Sequence, residues 1–171
     1  SLLGNRSDLF DPGVGVPEVI GRTSRPLPTE IEQSLSIDAT ASGWVSAIGE
    51  LTNFTGFGLF ECDRDYQPDS LAVRHGVAID PEQLFAYFEV DDDIIILRDP
   101  DLVSLNSSDQ LRMTVQASSG AISRYLFTTT EPGRVSIYLM RDNWREAISG
   151  DAVREVAGVL DLTKRGYLIK L

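Results

Sequence analysis

The sequence is short of the residues from which most catalytic and metal centres are built. Cys62 is the only cysteine and His75 the only histidine among 171 residues. One cysteine forms no intrachain disulfide, and one cysteine with one histidine cannot complete a zinc site of the usual four-ligand kind. The lack of disulfides fits a reducing compartment, or an assembly that needs no covalent staples. A Ser-His-Asp triad, or a general base working near neutral pH, would have to use His75. That residue lies in a loop-like context, Val73-Arg74-His75-Gly76, and no Gly-x-Ser-x-Gly elbow occurs anywhere. With no catalytic constellation visible, the chain is expected not to be an enzyme and to carry no resident cofactor.

Positive charge is also scarce. Lys164 and Lys170 are the only lysines, and 26 acidic residues against 15 basic ones leave a net charge of −11. Duplex nucleic acid and anionic lipid both draw on clustered Lys and Arg, so neither is an expected partner. The plain consequence of the acidity is solubility; the sharper alternatives are a bound cation or a basic protein partner. No apolar run approaches the ~20 residues of a membrane-spanning helix. The first residues, SLLGNRSDLFDPG, lack the basic stretch and long apolar core of a signal peptide, so none is expected. The glycine pairs Gly13-Val14-Gly15 and Gly56-Phe57-Gly58 lack the third glycine and the strand-to-helix setting of a dinucleotide site.

What is present is a β pattern preceded by an irregular arm. Four of the eight prolines, Pro12, Pro17, Pro26 and Pro28, fall within residues 1–33, interleaved with glycines. Proline blocks helix interiors and removes backbone donors, so no long regular element is expected there. Yet Leu2, Leu3, Leu9, Phe10, Val16, Val19 and Ile20 recur along the same stretch. A disordered linker has little use for such anchors. They are the candidate subunit contacts of an extended N-terminal arm, residues 1–33, lying on its own domain or on a neighbour.

From Ser34 onward the pattern predicts short strands. Ser34–Ala41 alternates Leu35, Ile37 and Ala39 with polar residues, and Trp44–Leu51 and Thr55–Cys62 follow as strands. Asp63–Pro81 reads mainly as loop, with Leu71–Val73 as a short strand. Leu84–Val90 and Ile94–Leu97 flank Asp91–Asp93 and predict a hairpin with an acidic turn. Gln110–Ala117, Ala121–Thr129 and Arg134–Met140 are strands separated by Ser118-Ser119-Gly120 and Pro132-Gly133 turns. Asn143–Ser149 and Asp151–Leu160 suggest a short C-terminal helix, against which the β-branched valines count. Tyr167–Leu171 closes as a strand. The expectation is one mainly β domain over residues 34–171, an antiparallel β-sandwich or barrel.

Two acidic clusters suggest weak metal sites, since hard cations need converging oxygens. Glu61, Asp63 and Asp65 alternate, and Asp91 and Asp93 flank Asp92, but Tyr66 and Ile96 stand where an EF-hand loop needs glycine. Calcium is the one cation these clusters would suit; solvated turns are the plainer reading. Trp44, Phe57 and Tyr66 could line a carbohydrate or peptide groove, although aromatics in a β protein more often fill its core.

The segment Asp99–Val115, DPDLVSLNSSDQLRMTV, resembles segments of tailed-bacteriophage virion proteins. There an Asp-Gln-Leu-Arg step opens a strand after a small polar turn, as Asp109, Gln110, Leu111 and Arg112 would here. The resemblance implies a structural or assembly protein of a virion, made in the host cytoplasm. Capsid, decoration, connector and tail components are all compatible with it. Such a protein would form homo- or hetero-oligomers with other subunits, tied by the arm. The alternatives are a carbohydrate- or peptide-binding sandwich with optional calcium, and a hydrolase using His75 with nearby carboxylates.

Overall fold

The computed structural model describes residues 28–53, 71–105, 107–149, 152–153 and 157–171. The elements are β1 (Thr29–Glu30), α1 (Ala41–Ile48), β2 (Thr52–Asn53), β3 (Leu71–Ile79), β4 (Leu84–Asp92), β5 (Leu111–Gln116), β6 (Ile122–Thr128), β7 (Ser136–Leu139), β8 (Val159–Leu162) and β9 (Gly166–Lys170). They form two sheets. The larger runs β1-β3-β4-β9-β8, with β2 also paired to β3, and the smaller runs β5-β6-β7. The fold is therefore mainly β. The first sheet is mixed rather than antiparallel, because β1 runs parallel to β3. Among the described residues no pairing closes either sheet into a barrel.

β4 organises the molecule. Its run LFAYFEV lacks the polar alternation of a half-exposed strand, and both of its faces are covered. Ala86, Phe88 and Val90 face the smaller sheet and share a core with Phe127, Ile137, Leu160 and Ile169. The Phe88 and Phe127 rings meet across the two sheets at 6.3 Å. Phe85 and Tyr87 face the opposite way, onto Trp44 and Ile48 of α1. Trp44 stands edge-on to Phe85 at 6.0 Å and tilted over Tyr87 at 6.3 Å. A third cluster of Leu126, Tyr138, Met140 and Trp144 covers the far side of the smaller sheet. Helix, sheet, sheet and a covering loop thus lie in successive layers.

Two strands expected before residue 52 are absent. Ser34–Ala41 is a loop, and the Trp44–Leu51 stretch holds α1. Residues four apart share a face in a strand and in a helix alike, so Trp44 and Ile48 would be buried by either. The caps decide. Thr40 Oγ1 accepts from Gly43 N, and Gly49 at φ 88° ends the helix with its N–H on Val45 O at 2.8 Å. Trp44 Nε1 donates to Ser36 O at 2.9 Å, fixing the preceding loop. Gly76 on β3 permits the close docking of α1, since a Cβ there would stand 2.5 Å from Ile48 Cγ2.

The hairpin expected across Asp91–Asp93 is also not formed. β4 continues through Asp92, and Asp91 pairs with Ala72 on one side and Gly166 on the other. Its true hairpin partner is β3, nine residues long where a loop with a three-residue strand was expected. Asp80 makes that turn: its Oδ1 accepts from Glu82 N and Gln83 N, both at 2.7 Å, and Ser34 Oγ donates to Oδ2. By contrast, the β5–β6 and β6–β7 hairpins form with the strands and turns expected, and β9 is the closing strand.

No C-terminal helix is present among the described residues. Residues 141–149 reverse sharply, with Arg141 N on Glu146 O at 2.9 Å and Ile148 N on Leu139 O at 2.8 Å. Val159–Leu162 is instead β8, paired with β9. The branched side chains that weaken a helix there suit a strand with a ready partner. Thr29 and Glu30, counted in the arm, pair with Ala78 and Ile79 of β3. The expected strand Thr55–Cys62 lies outside the described residues.

Candidate functional site

The most distinctive surface begins where β4 ends. Asp92 Oδ1 accepts from Ile94 N at 3.0 Å, a turn that takes the chain out of the ladder. The chain then crosses to the smaller sheet on single contacts. Ile96 N donates to Asp109 Oδ2 and Asp109 N to Ile96 O, both at 2.9 Å, and Arg98 N donates to Thr129 O at 2.7 Å. Only Ile95 of this apolar run packs against the core. Ile94 and Ile96 are about half exposed, as is Leu102, and Val103 is 97% exposed. Asp99 shapes the end of the stretch by accepting from Asp101 N at 2.9 Å, and the Arg98 guanidinium reaches Leu102 O at 3.3 Å. The result is a ledge of apolar side chains edged by exposed carboxylates at one end of the smaller sheet.

Beneath the ledge lies a narrow seam between the sheets, lined by Ile95, Leu97, Asp109, Phe127 and Tyr167 among others, with about 10 Å³ of free space. That is roughly one water and no larger ligand. Burial pushes the Asp109 carboxyl above its usual range against the opposing Ile96 N–H, and the Asp92 charge adds to the rise. Burial also raises the Tyr167 hydroxyl well above the tyrosine range, helped by Asp109 and Asp92. The seam holds the ledge in place; it is not a binding cavity.

At the other end of β6 is an open groove of about 300 Å³, lined by Ile122, Arg124, Met140, Arg141, Asp142 and Ile148 among others. Met140 is buried, whereas Ile122 and Ile148 are half exposed. Arg141 reaches Glu146 at 3.6 Å. Arg124 Nε is buried and makes no hydrogen bond among the described residues. Two further arginines lie over aromatic rings of the smaller sheet's outer cluster: Arg98 over Tyr138 at 5.8 Å and Arg112 over Trp144 at 5.5 Å. Trp144 holds φ at 57°, a costly backbone for a bulky residue, maintained by the burial of its ring.

The residues singled out from sequence fare differently. Trp44 is fully buried at 0% exposure and belongs to the core, not to a ligand surface. Its expected companions Phe57 and Tyr66 lie outside the described residues, as do Glu61, Asp63 and Asp65 and the arm anchors Leu2, Leu3, Leu9, Phe10, Val16, Val19 and Ile20. Asp91 is paired with Arg165 at 3.2 Å, and Asp93 lies in the bend after β4. Among the described residues no group of three or more His, Cys, Asp or Glu side chains could hold a metal ion. His75 sits within β3, its ring stacked on Phe88 at 6.2 Å, and burial lowers its pKa. Of the ledge, only Ile94–Leu97 reads as a strand from sequence, and the groove is not foreseen. Its residues come from β6, β7 and the loop after β7, and no local spacing joins them. Comparisons with protein-family models, with curated proteins and with solved structures find no match in any of the three.

Proposed function

We propose that this chain is a non-enzymatic structural protein that joins subunits of a larger assembly, of the tailed-phage virion kind that Asp99–Val115 resembles. We read its two sheets as an open sandwich serving as a rigid support for contact surfaces. The observation that carries the reading is the ledge. Five large apolar residues within ten positions, Ile94, Ile96, Leu97, Leu102 and Val103, stand exposed on a chain of net charge −11. Single exposed apolar residues are ordinary, but a contiguous set rimmed by charge marks a contact surface. The apolar arm would add a second contact, since tethered sites reinforce one another without enlarging the core. The competing reading, a carbohydrate- or peptide-binding module, loses Trp44 from its proposed surface because that side chain is enclosed between α1 and β4. Sedimentation of the purified full chain over a wide concentration range tests the proposal. Species larger than the monomer, or co-sedimentation with particles, are expected. A chain that stays monomeric at millimolar concentration and joins no particle fraction refutes it.

A further inference from the structure

We infer that the strap formed by residues 94–98 is a proton-operated latch, held most firmly when the Asp109 carboxyl carries a proton and loosened when that carboxyl ionises. The latch goes beyond the assembly reading and does not depend on what the ledge contacts.

The strap is held at few points. Ile94 N donates to Asp92 Oδ1 at 3.0 Å, Ile96 N to Asp109 Oδ2 at 2.9 Å, and Arg98 N to Thr129 O at 2.7 Å. The first two donors therefore end on carboxylates. They lie two residues apart, a step over which the chain covers at most about 7 Å. Asp92, at the end of β4, and Asp109, just before β5, are thus held as like charges beside one short segment.

The groups around Asp109 add little to offset its charge. In the seam β9 contributes Tyr167, β6 contributes Thr128 and Thr129, and the residue before β5 is the neutral Gln110. The end of β4 carries Asp92, and Asp93 follows it. The arginines of the flanking segments are engaged elsewhere. Arg165 pairs with Asp91 at 3.2 Å, and Arg98 reaches Leu102 O at 3.3 Å and lies over the Tyr138 ring. Ionised Asp109 keeps its bond from Ile96 N but gives up hydration and faces Asp92. Burial outweighs the amide, so the folded carboxyl holds its proton more tightly than a solvated one. Protonated Asp109 still accepts from Ile96 N through its carbonyl oxygen and carries no charge against Asp92.

The direction of the switch follows. With the strap open, Asp109 stands in water and titrates near its ordinary value of 3.8. Closure is favoured most below that value, and the advantage is lost as pH rises through the higher folded value. Opening uncovers the seam and releases Ile95, which packs against the core when the strap is closed.

Amide hydrogen exchange in the full chain tests the latch, followed by NMR from about pH 3.5 to about pH 7 and corrected for intrinsic rates. The Ile96 amide should lose protection as pH rises and level off above the pH at which the Asp109 carboxyl carbon titrates. The loss should be about tenfold for each pH unit by which that titration exceeds the ordinary value. Asp109→Asn keeps an acceptor for Ile96 N without a titrating proton, so its Ile96 protection should stay flat. Asp92→Asn should lower the Asp109 titration and shrink the loss. Parental Ile96 protection that does not change with pH overturns the inference, as does an Asp109 carboxyl that titrates at its ordinary value; neither result requires a variant to fold. An Asp109→Asn chain that keeps the parental pH dependence overturns it as well.

Discussion

Two apolar stretches flank the same three aspartates and meet opposite fates. Leu84–Val90 becomes a strand covered on both faces, with α1 on one and the smaller sheet on the other. Ile94–Leu97 is no less apolar, yet Ile94 and Ile96 stand about half exposed and Leu97 more than a third. Composition does not separate them; the availability of partners does. The first stretch lies between β3 and β9 and satisfies its backbone on both edges. The second leaves the ladder at Asp92 and is held by isolated hydrogen bonds to Asp109 and Thr129. A strand without a neighbouring edge has no sheet to be buried in, so its side chains serve as surface.

The contrast is sharpest in the core itself. Phe88→Ala and Trp44→Ala remove large side chains from the two opposite faces of the β4 layer. Each should cost about 3–5 kcal/mol, read as a lowered urea midpoint with an unchanged slope. If Trp44→Ala were nearly neutral, α1 would not cover the sheet as described.

A smaller effect is expected at His75, on the β4-facing edge of the same core. Burial lowers its folded pKa below the ordinary value of 6.5. Between the two values the unfolded chain binds more protons, so stability rises with pH there. The urea midpoint should therefore fall as pH drops through about 6.5 toward the folded value. His75→Phe keeps a ring on Phe88 and should flatten that slope. An undiminished slope in the variant would assign the titration to another group.

The smallest effect on stability belongs to the ledge. Ile94→Ser and Val103→Ser should each shift unfolding by no more than about 0.5 kcal/mol, since they bury little. The same substitutions should lower the sedimentation coefficient of the assembled chain. Destabilisation as large as that of Phe88→Ala would mean that the ledge is part of the core.

Some of this was legible in the residues. The hairpins around Ser118-Ser119-Gly120 and Pro132-Gly133 follow from turn chemistry, and Gly120 and Gly133 do hold φ near 87° and 88°. The enclosure of β4 is foreshadowed by its unbroken apolar run. Other features were not. Trp44 and Ile48 fit both periods, and what decides between them is the pair of caps at Thr40 and Gly49. Arg74-His75-Gly76 looks like loop because its merits are cross-strand: Arg74 bonds Glu89 at 2.5 Å, His75 stacks on Phe88, and Gly76 admits α1. The candidate surface was the least legible of all, because the groove joins residues from β6, β7 and the following loop.

The sequence by itself determined the mainly β class, the two C-terminal-half hairpins and the scarcity of cysteine and histidine, because turn propensity, strand alternation and composition are local properties. Only the tertiary structure decided that the run before Asp91–Asp93 is core and the run after it is surface. That choice depends on which backbone edges lie alongside, and edges are supplied by strands distant in the chain: β3, β9 and the end of β6.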